Sequence, residues 1–415
     1  VIVLSHPTGN AFVRAVMIGL EQAAMLDTFQ TTLAYAKDDW FADVVPATVK
    51  NELTRRSFPI PSEKIYVHPL RELVRLMAPK LGMGFLTKHE KGIASVDAVY
   101  QALDQDVAEY ISDGEAENVL TGVYAYEDCA LNTFKKAHEL GLKCFYDLPI
   151  AYWQTSRQLL KEEAKRLPEW EPTLIGTRDS VEKLARKTDE IALADVVICP
   201  SKFVLDSLPG AVRRSKTCLV AEFGTPEVNG SLPELRSDYE SGPLRVLFAG
   251  SMSQRKGLAD VFSAFKLLRR SDVELVVMGS PAASMDFYRR QYNDFHYEIP
   301  RPHNDVLNLM RTCHVFVLPS IVEGRALVQQ EAMLCGLPII VTANAGGEDL
   351  VEEGKTGYLV PIQSPEFLAE KISWFADHRN EIQAMGRCAQ ERALQVTWDR
   401  YRKKILSVIL PMVAK

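Results

Sequence analysis

The sequence predicts an α/β protein built of parallel sheets covered by helices on both faces, divided into two domains. Three observations predict it. Short apolar runs alternate with longer amphipathic stretches almost from end to end. At 415 residues the chain is too long for one ordinary core. A polar stretch at 225–243, with three prolines, two glycines and no apolar period, breaks the alternation once.

The expected buried strands, in order, are 1–4, 118–124, 143–147, 195–199, 217–223, 244–249, 273–278, 314–318 and 338–342. Each is rich in Val, Ile, Leu or Phe and flanked by Gly, Pro or Ser, which favours strand over buried helix. The expected domains are therefore 1–225 and 244–395, joined by a linker at 226–243. A last helix at 396–415 places Tyr401, Ile405, Val408 and Ile409 on one face, suited to packing back on the first domain. The stretch Val96 to Ile111 also reads as helix. Its Asp104-Gln105-Asp106 is the one tempting metal-binding spacing, and at helical period it reads as a solvated face.

Composition excludes several classes. With 47% hydrophobic and 25% charged residues the chain is neither disordered nor collagen-like. A net charge of −6 argues against nucleic-acid binding. Seven scattered cysteines without a C-x-x-C spacing suit a reducing compartment rather than zinc or a disulfide framework. No run approaches the roughly 18 apolar residues of a membrane span, and the opening Val1-Ile2-Val3-Leu4 reads as a strand, not a signal peptide. The expected location is the cytoplasm, with peripheral contact at the inner membrane surface as an option. That option rests on 50–91, where nine Lys/Arg face four Glu in a chain that is acidic overall. Its Leu70-Arg71-Glu72-Leu73-Val74-Arg75 has apolar and basic residues at helical spacing. The bland alternative is a set of ordinary solvated basic faces.

The chemistry concentrates in 314–342. A strand ends at Pro319-Ser320, a loop carries Glu323-Gly324, and a helix starts near Ala326 and stops at Gly336 and Pro338. A helix start offers unpaired amides and a positive dipole end, which suits a diphosphate. Glu323 lies before the helix and Glu331 more than a turn inside it, so the two acids can bracket a ligand. The alternative is a capping carboxylate plus an ordinary surface glutamate.

The stretch Glu323 to Ile340, E-G-x6-E-A-M-x-C-G-x-P-I-I, resembles the E-x7-E motif of retaining family 4 glycosyltransferases (glycosyl transferases group 1). Gly250 to Leu258 looks like that family's first phosphate-contacting loop. Asp195 to Phe203, Phe223-Gly224-Thr225, Asp305 to Ser320 and Ala345 to Val360 match further segments. The resemblance covers most of 190–360 and is loose before it. It implies a GT-B fold, two Rossmann-like domains facing across a cleft, with an NDP-sugar donor held mainly by the second. Carried over by position, Glu331 would hold the nucleotide ribose, and Glu323, with Gly324 and Arg325 beside it, the donor sugar. The amides of Ala326, Leu327 and Val328, and the loop at Gly250-Ser251, would contact phosphate. Lys256 would neutralise the departing diphosphate, a charge that otherwise builds up unscreened.

Ser251 stands where the family usually has arginine. Arg255, in the same loop, can take that place, or it forms with Lys256 a solvated basic pair. Arg325-Ala326 replaces an aromatic and a glycine, so Arg325 is expected to narrow or recharge the sugar pocket. In the first domain, Gly9-Asn10 follows the opening strand and could approach the donor, although a plain strand-to-helix turn explains it as well. His6 reads as a loop histidine. Tyr146-Asp147 stands where the family often has His-Asp, so only Asp147 transfers. Tyr124, Glu127 and Asp128 are expected near the cleft, with helix capping as the alternative for the acids. No residue presents itself as a nucleophile or general base.

The resemblance implies a metal-independent retaining transferase that moves a hexose from an NDP-sugar, expected to be UDP-linked, onto a glycan or lipid-linked acceptor, as in polysaccharide biosynthesis. It needs no cofactor, since the nucleotide sugar is a substrate. A sugar-nucleotide epimerase of the same fold and a non-catalytic nucleotide-sugar-binding partner are the alternatives. A dehydrogenase is disfavoured because no G-x-G-x-x-G follows an expected strand.

Overall fold

A computed structural model describes residues 1–35, 56–114, 119–226 and 241–413. Seven parallel strands form the first sheet: β1 (Ile2–Ser5), β2 (Leu26–Thr31), β3 (Ile65–Val67), β4 (Gly122–Tyr126), β5 (Lys143–Asp147), β6 (Val196–Cys199) and β7 (Thr217–Val220). Their spatial order is β3-β2-β1-β4-β5-β6-β7. Six parallel strands form the second: β8 (Leu244–Ala249), β9 (Val273–Met278), β10 (His296–Glu298), β11 (Val315–Leu318), β12 (Ile339–Val341) and β13 (Gly357–Leu359), in the order β10-β9-β8-β11-β12-β13. Each order reverses direction next to the sheet's first strand, the crevice at which open parallel sheets bind ligands. Most of the linker expected at 226–243 lies outside the described residues, as does the start of the expected strand 118–124.

Nine strands were legible from apolar runs, and four were not. In β2, Asp27, Thr28, Gln30 and Thr31 alternate with Leu26 and Phe29, yet all six residues are buried. Their polar groups find partners inside: Tyr110 Oη donates to Asp27 Oδ2 at 3.0 Å, and His68 Nε2 lies 2.8 Å from Gln30 Oε1. The other three, β3, β10 and β13, are three-residue edge strands, too short to show a pattern.

Each sheet lies within its own core, but both cores borrow from the other half of the chain. The C-terminal helix Trp398–Val413 sets Tyr401, Ile405 and Ile409 among Leu4, Val16, Met17 and Phe145 of the first domain. Conversely, Trp170, in the turn of 3-10 helix Pro168–Thr173, is buried in the second core against Phe262, Phe287 and Tyr288, at 5.0–6.0 Å between ring centroids. No described helix is long and apolar enough to cross a membrane.

Asp104 corrects the reading of its helix, which spans Val96–Asp113. It is fully buried and accepts from the amides of Asn132 at 2.8 Å and Thr133 at 2.9 Å, capping the helix Leu131–Glu139 from another element. It is a cap supplied from a distance, not a solvated face.

Candidate active site

A cleft of about 640 Å³ opens where the two sheets' loops meet. Phe12, Pro149 and Phe223 line it from the first domain. From the second come Gly250, Ser251, Arg255, Lys256, Glu323, Arg325, Ala326, Leu327, Val328 and Glu331. Ten of the residues expected from sequence therefore share one wall.

Close backbone approaches shape that wall. Gly257 has φ +77° at the start of the helix Leu258–Leu268, and a Cβ there would meet the Pro319 carbonyl oxygen at 2.1 Å. Only glycine fits, so the Gln254–Lys256 turn lies directly on the β11 loop. Ile321 N donates to Arg255 O at 2.9 Å and extends the contact. At Gly324 a Cβ would fall 1.7 Å from the Pro149 carbonyl oxygen, and Ser201 Oγ donates to Gly324 O at 2.7 Å. Gly324 is thus one of the places where the two domains touch, and it does not line the cleft.

The charges converge on Glu323. Lys256 Nζ pairs with its Oε2, and Arg255 Nη1 donates to the same oxygen at 3.0 Å and to Val322 O at 3.0 Å. Burial pushes the Glu323 carboxyl up, but Lys256 and then Arg255 outweigh it and hold it below the usual carboxylate range. Burial lowers the Lys256 ammonium, and Glu323 opposes that shift. Glu331, eight residues on, is raised by burial, with His303 Nδ1 at 3.6 Å opposing. The wall thus carries two cations and one carboxylate at its loop end, and a second carboxylate along the helix Leu327–Leu334.

Several expectations need correction. Arg325 does not recharge the pocket: its side chain has no exposed surface, and Nη2 donates to Asp349 Oδ2 at 3.0 Å, Nε to Gln330 Oε1 at 3.0 Å and Nη1 to Gly346 O at 2.9 Å. Ala326 N donates to Ala345 O at 3.1 Å, so of the three amides expected at phosphate only those of Leu327 and Val328 remain. Asp147 is fully buried between Tyr124 Oη at 2.7 Å and Tyr401 Oη at 3.4 Å, facing the C-terminal helix instead of the cleft. Burial raises its carboxyl to about 7. Gly9 turns against the Phe58 ring, and neither it nor Asn10 is among the lining residues. His6 accepts from the amides of Thr8 and Gly9, both at 2.9 Å, and burial, then Arg56, lowers it to about 3. It is a neutral turn-builder. Tyr124, Glu127 and Asp128 also stay out of the cleft lining; Lys187 Nζ pairs with Glu127 at 3.1 Å and Asp128 at 3.5 Å. The capping alternative for these two acids fails too, because Glu190 and Asp104 take that helix start.

The sequence did not single out Phe12, Ser280 or Arg301, which line the same cleft. Phe12 stacks on Phe223 at 4.7 Å and 6°, a contact 211 positions apart that no local pattern announces. Arg301 pairs with Glu298 and follows the unrecognised edge strand β10. Away from the cleft, His89, Glu90 and Asp179 bring three ligand-type atoms together among the described residues. Ion pairing accounts for them, with Lys183 Nζ 3.5 Å from Asp179 Oδ1.

Two parallel Rossmann-like sheets with a charged cleft between them define a GT-B fold, the architecture of nucleotide-sugar transferases. Residues 235–392 match the family described as "Glycosyl transferases group 1". Sucrose-phosphate synthase from Thermosynechococcus elongatus superposes over all of this chain and 99% of its own, with TM-score 0.63 at 19% identity. Anabaena HepE in complex with UDP superposes over 99% of both, with TM-score 0.61 at 16% identity. In sequence, a D-inositol 3-phosphate glycosyltransferase of Paenarthrobacter aurescens is 26% identical over 185 residues, 40% of this chain and 45% of that protein. An uncharacterized glycosyltransferase of Methanocaldococcus jannaschii is 26% identical over 209 residues, 50% of this chain and 57% of that protein. The chain thus spans about half the length of these curated relatives.

Proposed function

We propose that this chain is a retaining glycosyltransferase that moves a hexose from a UDP-sugar to a glycan or lipid-linked acceptor without a metal. One observation carries the reading: Lys256, Arg255, the amides of Leu327 and Val328, Glu323 and Glu331 all line one cleft. Two cations and a helix start suit a diphosphate, and carboxylates on either side suit the hydroxyls of a sugar and a ribose. Lys256 would stabilise the leaving diphosphate, with Arg255 in the role of the arginine missing at Ser251. Glu331 would hold the ribose and Glu323 the transferred sugar. The UDP bound in the HepE structures supports uridine among the nucleotides.

Reaction on one face of the sugar, with leaving phosphate taking the acceptor proton, needs no protein nucleophile. No carboxylate other than the two already assigned lines the cleft among the described residues. Nuclear magnetic resonance of the anomeric proton, with UDP-, GDP- and ADP-sugars and with and without acceptors, tests the reading. An α-linked product from an α-donor supports it. An inverted product overturns it, and a changed sugar nucleotide without acceptor points to the epimerase.

A second observation bears on the acceptor. On the helix Leu70–Met77 and the turns after it, Leu70, Met77, Leu81, Phe85 and Ile93 are exposed, Leu70 by 79% and Phe85 by 70%. Arg71, Lys80, Lys88 and Lys91 of the same stretch are exposed as well. Exposed apolar and cationic side chains on one segment match an anionic bilayer surface, where a lipid-linked acceptor resides. Arg75 is half-buried and donates through Nε and Nη2 to buried Glu72, which turns it away from that face.

A further inference from the structure

The helix Trp153–Arg166 and the turn Pro168–Thr173 precede β6, yet they contact both loops that carry the cleft's charges. On one side Ala151, Leu160 and Leu174 form a small apolar cluster with Ile321 and Val322, immediately before Glu323. On the other, a buried polar network holds Gln254, immediately before Arg255 and Lys256. Glu163, fully buried, accepts from Gln254 Nε2 at 2.8 Å, from Arg166 Nε at 3.0 Å and Nη2 at 2.8 Å, and from Gln363. Arg166 continues to Asp260 through Nη1 at 2.8 Å and Nη2 at 2.9 Å, and Gln254 Nε2 reaches the same carboxylate at 2.8 Å. Gln254 Oε1 accepts from Ala259 N at 2.8 Å, and Gln254 N donates to Thr173 Oγ1 at 3.1 Å.

Every polar group of the Gln254 side chain is thus spoken for, and two of the residue's bonds, to Glu163 and Thr173, come from this earlier segment. A fully buried amide in such a network has one orientation, because any rotation leaves a donor or acceptor unpaired in a dry site. With Gln254 fixed and Gly257 held on Pro319, the turn between them has little room to move. The Lys256 ammonium inherits that precision.

We propose that Glu163 is a positioning residue: acting through Gln254, it sets the Lys256 loop against Glu323 from a segment none of whose residues lines the cleft. This rests on the transferase reading for its catalytic consequence but not for its structural one. The segment also ties the loop geometry to the way the two domains meet, since Leu160 and Trp170 dock on the second domain from the same stretch.

The test uses Glu163→Gln and, as a milder second variant, Thr173→Val, in the full chain. Hydrogen–deuterium exchange should show the amides of 254–257 and 321–323 exchanging about tenfold faster in both variants, with β1 and the C-terminal helix unchanged. With the sugar nucleotide that the wild type uses, kcat should fall about tenfold while KM stays within about twofold, the pattern of a misplaced group. Unchanged exchange at 254–257 overturns the proposal, and so does faster exchange with unaltered kcat. Should Glu163→Gln fail to fold, Thr173→Val alone decides by the same two readings. A wild type inactive on every sugar nucleotide would overturn the transferase reading, leaving exchange at 254–257 to decide whether Glu163 holds the loop.

Discussion

Arg325 donates to Asp349 from a side chain with no exposed surface, although Arg325 is among the residues of the charged cleft. The pair ties the start of the helix Leu327–Leu334 to the loop after β12, and Gln330 extends the tie by donating to Phe223 O at 3.0 Å and Thr225 Oγ1 at 3.1 Å in the other domain. Arginine at this position is a strut.

Arg325→Ala is therefore expected to lower stability by about 2–4 kcal/mol, because it leaves Asp349, Gly346 O and Gln330 without a shared donor. Asp349 is itself partly exposed, which places the loss towards the lower end. Urea unfolding of the single variant and of Arg325→Ala/Asp349→Ala checks it. The double variant should recover part of the loss.

The two glutamates should separate. Glu331→Ala is expected to weaken UDP binding about tenfold, the worth of a charged hydrogen bond to ribose. Glu323→Ala should leave UDP affinity within about twofold and lower turnover at least tenfold. Calorimetry with UDP, followed by initial rates, makes the comparison. Equal affinity in wild type and Glu331→Ala would remove the ribose assignment.

Asp147 provides a pH dependence. Its folded value of about 7 lies above the unfolded 3.8, so its neutral form is the one the fold favours. Its contribution is complete below about pH 4 and is lost as pH rises through about 7. Asp147→Asn keeps the shape and an acceptor for Tyr124, and it carries no charge at any pH. The stability of the variant relative to wild type should therefore rise between pH 5 and pH 8, by an amount on the order of 2 kcal/mol. Melting temperatures of both proteins across that range make the measurement. A flat difference would count against an ionisable, buried Asp147.

For the basic apolar patch, Arg71→Ala/Lys80→Ala/Lys88→Ala is expected to abolish most co-sedimentation with phosphatidylglycerol-containing liposomes, and about 0.5 M salt should weaken the wild type likewise. Neutral liposomes should pellet little of either protein. Equal pelleting of both proteins with anionic vesicles would dismiss the membrane surface.

Legibility in the sequence followed physical locality. Strands such as Val315–Leu318, buried on both faces of a parallel sheet, announce themselves as apolar runs. The second-domain wall was legible through the resemblance of two short segments, Gly250 to Leu258 and Glu323 to Ile340, to those of a known family; the spacing of Glu323 and Glu331 alone left the capping alternative open. What stayed hidden depends on distant partners. Asp27 and Gln30 are tolerable in β2 only because Tyr110 and His68 meet them. Asp104 is buried because it caps a helix 27 positions later, and Asp147 turns from the cleft because Tyr401, 254 positions away, helps hold it. The loosely matching first domain is where such partners dominate, and there Gly9, Asn10 and Asp147 all fell away from the cleft.

The exchange of Trp170 and the C-terminal helix between cores has a consequence for biosynthesis. On the ribosome, residues 1–225 emerge first, but Trp170 must wait for Phe262, Phe287 and Tyr288 to be translated before it can leave water. The first sheet waits longer still, because Tyr401, Ile405 and Ile409 complete its core. The half that is made first is finished last.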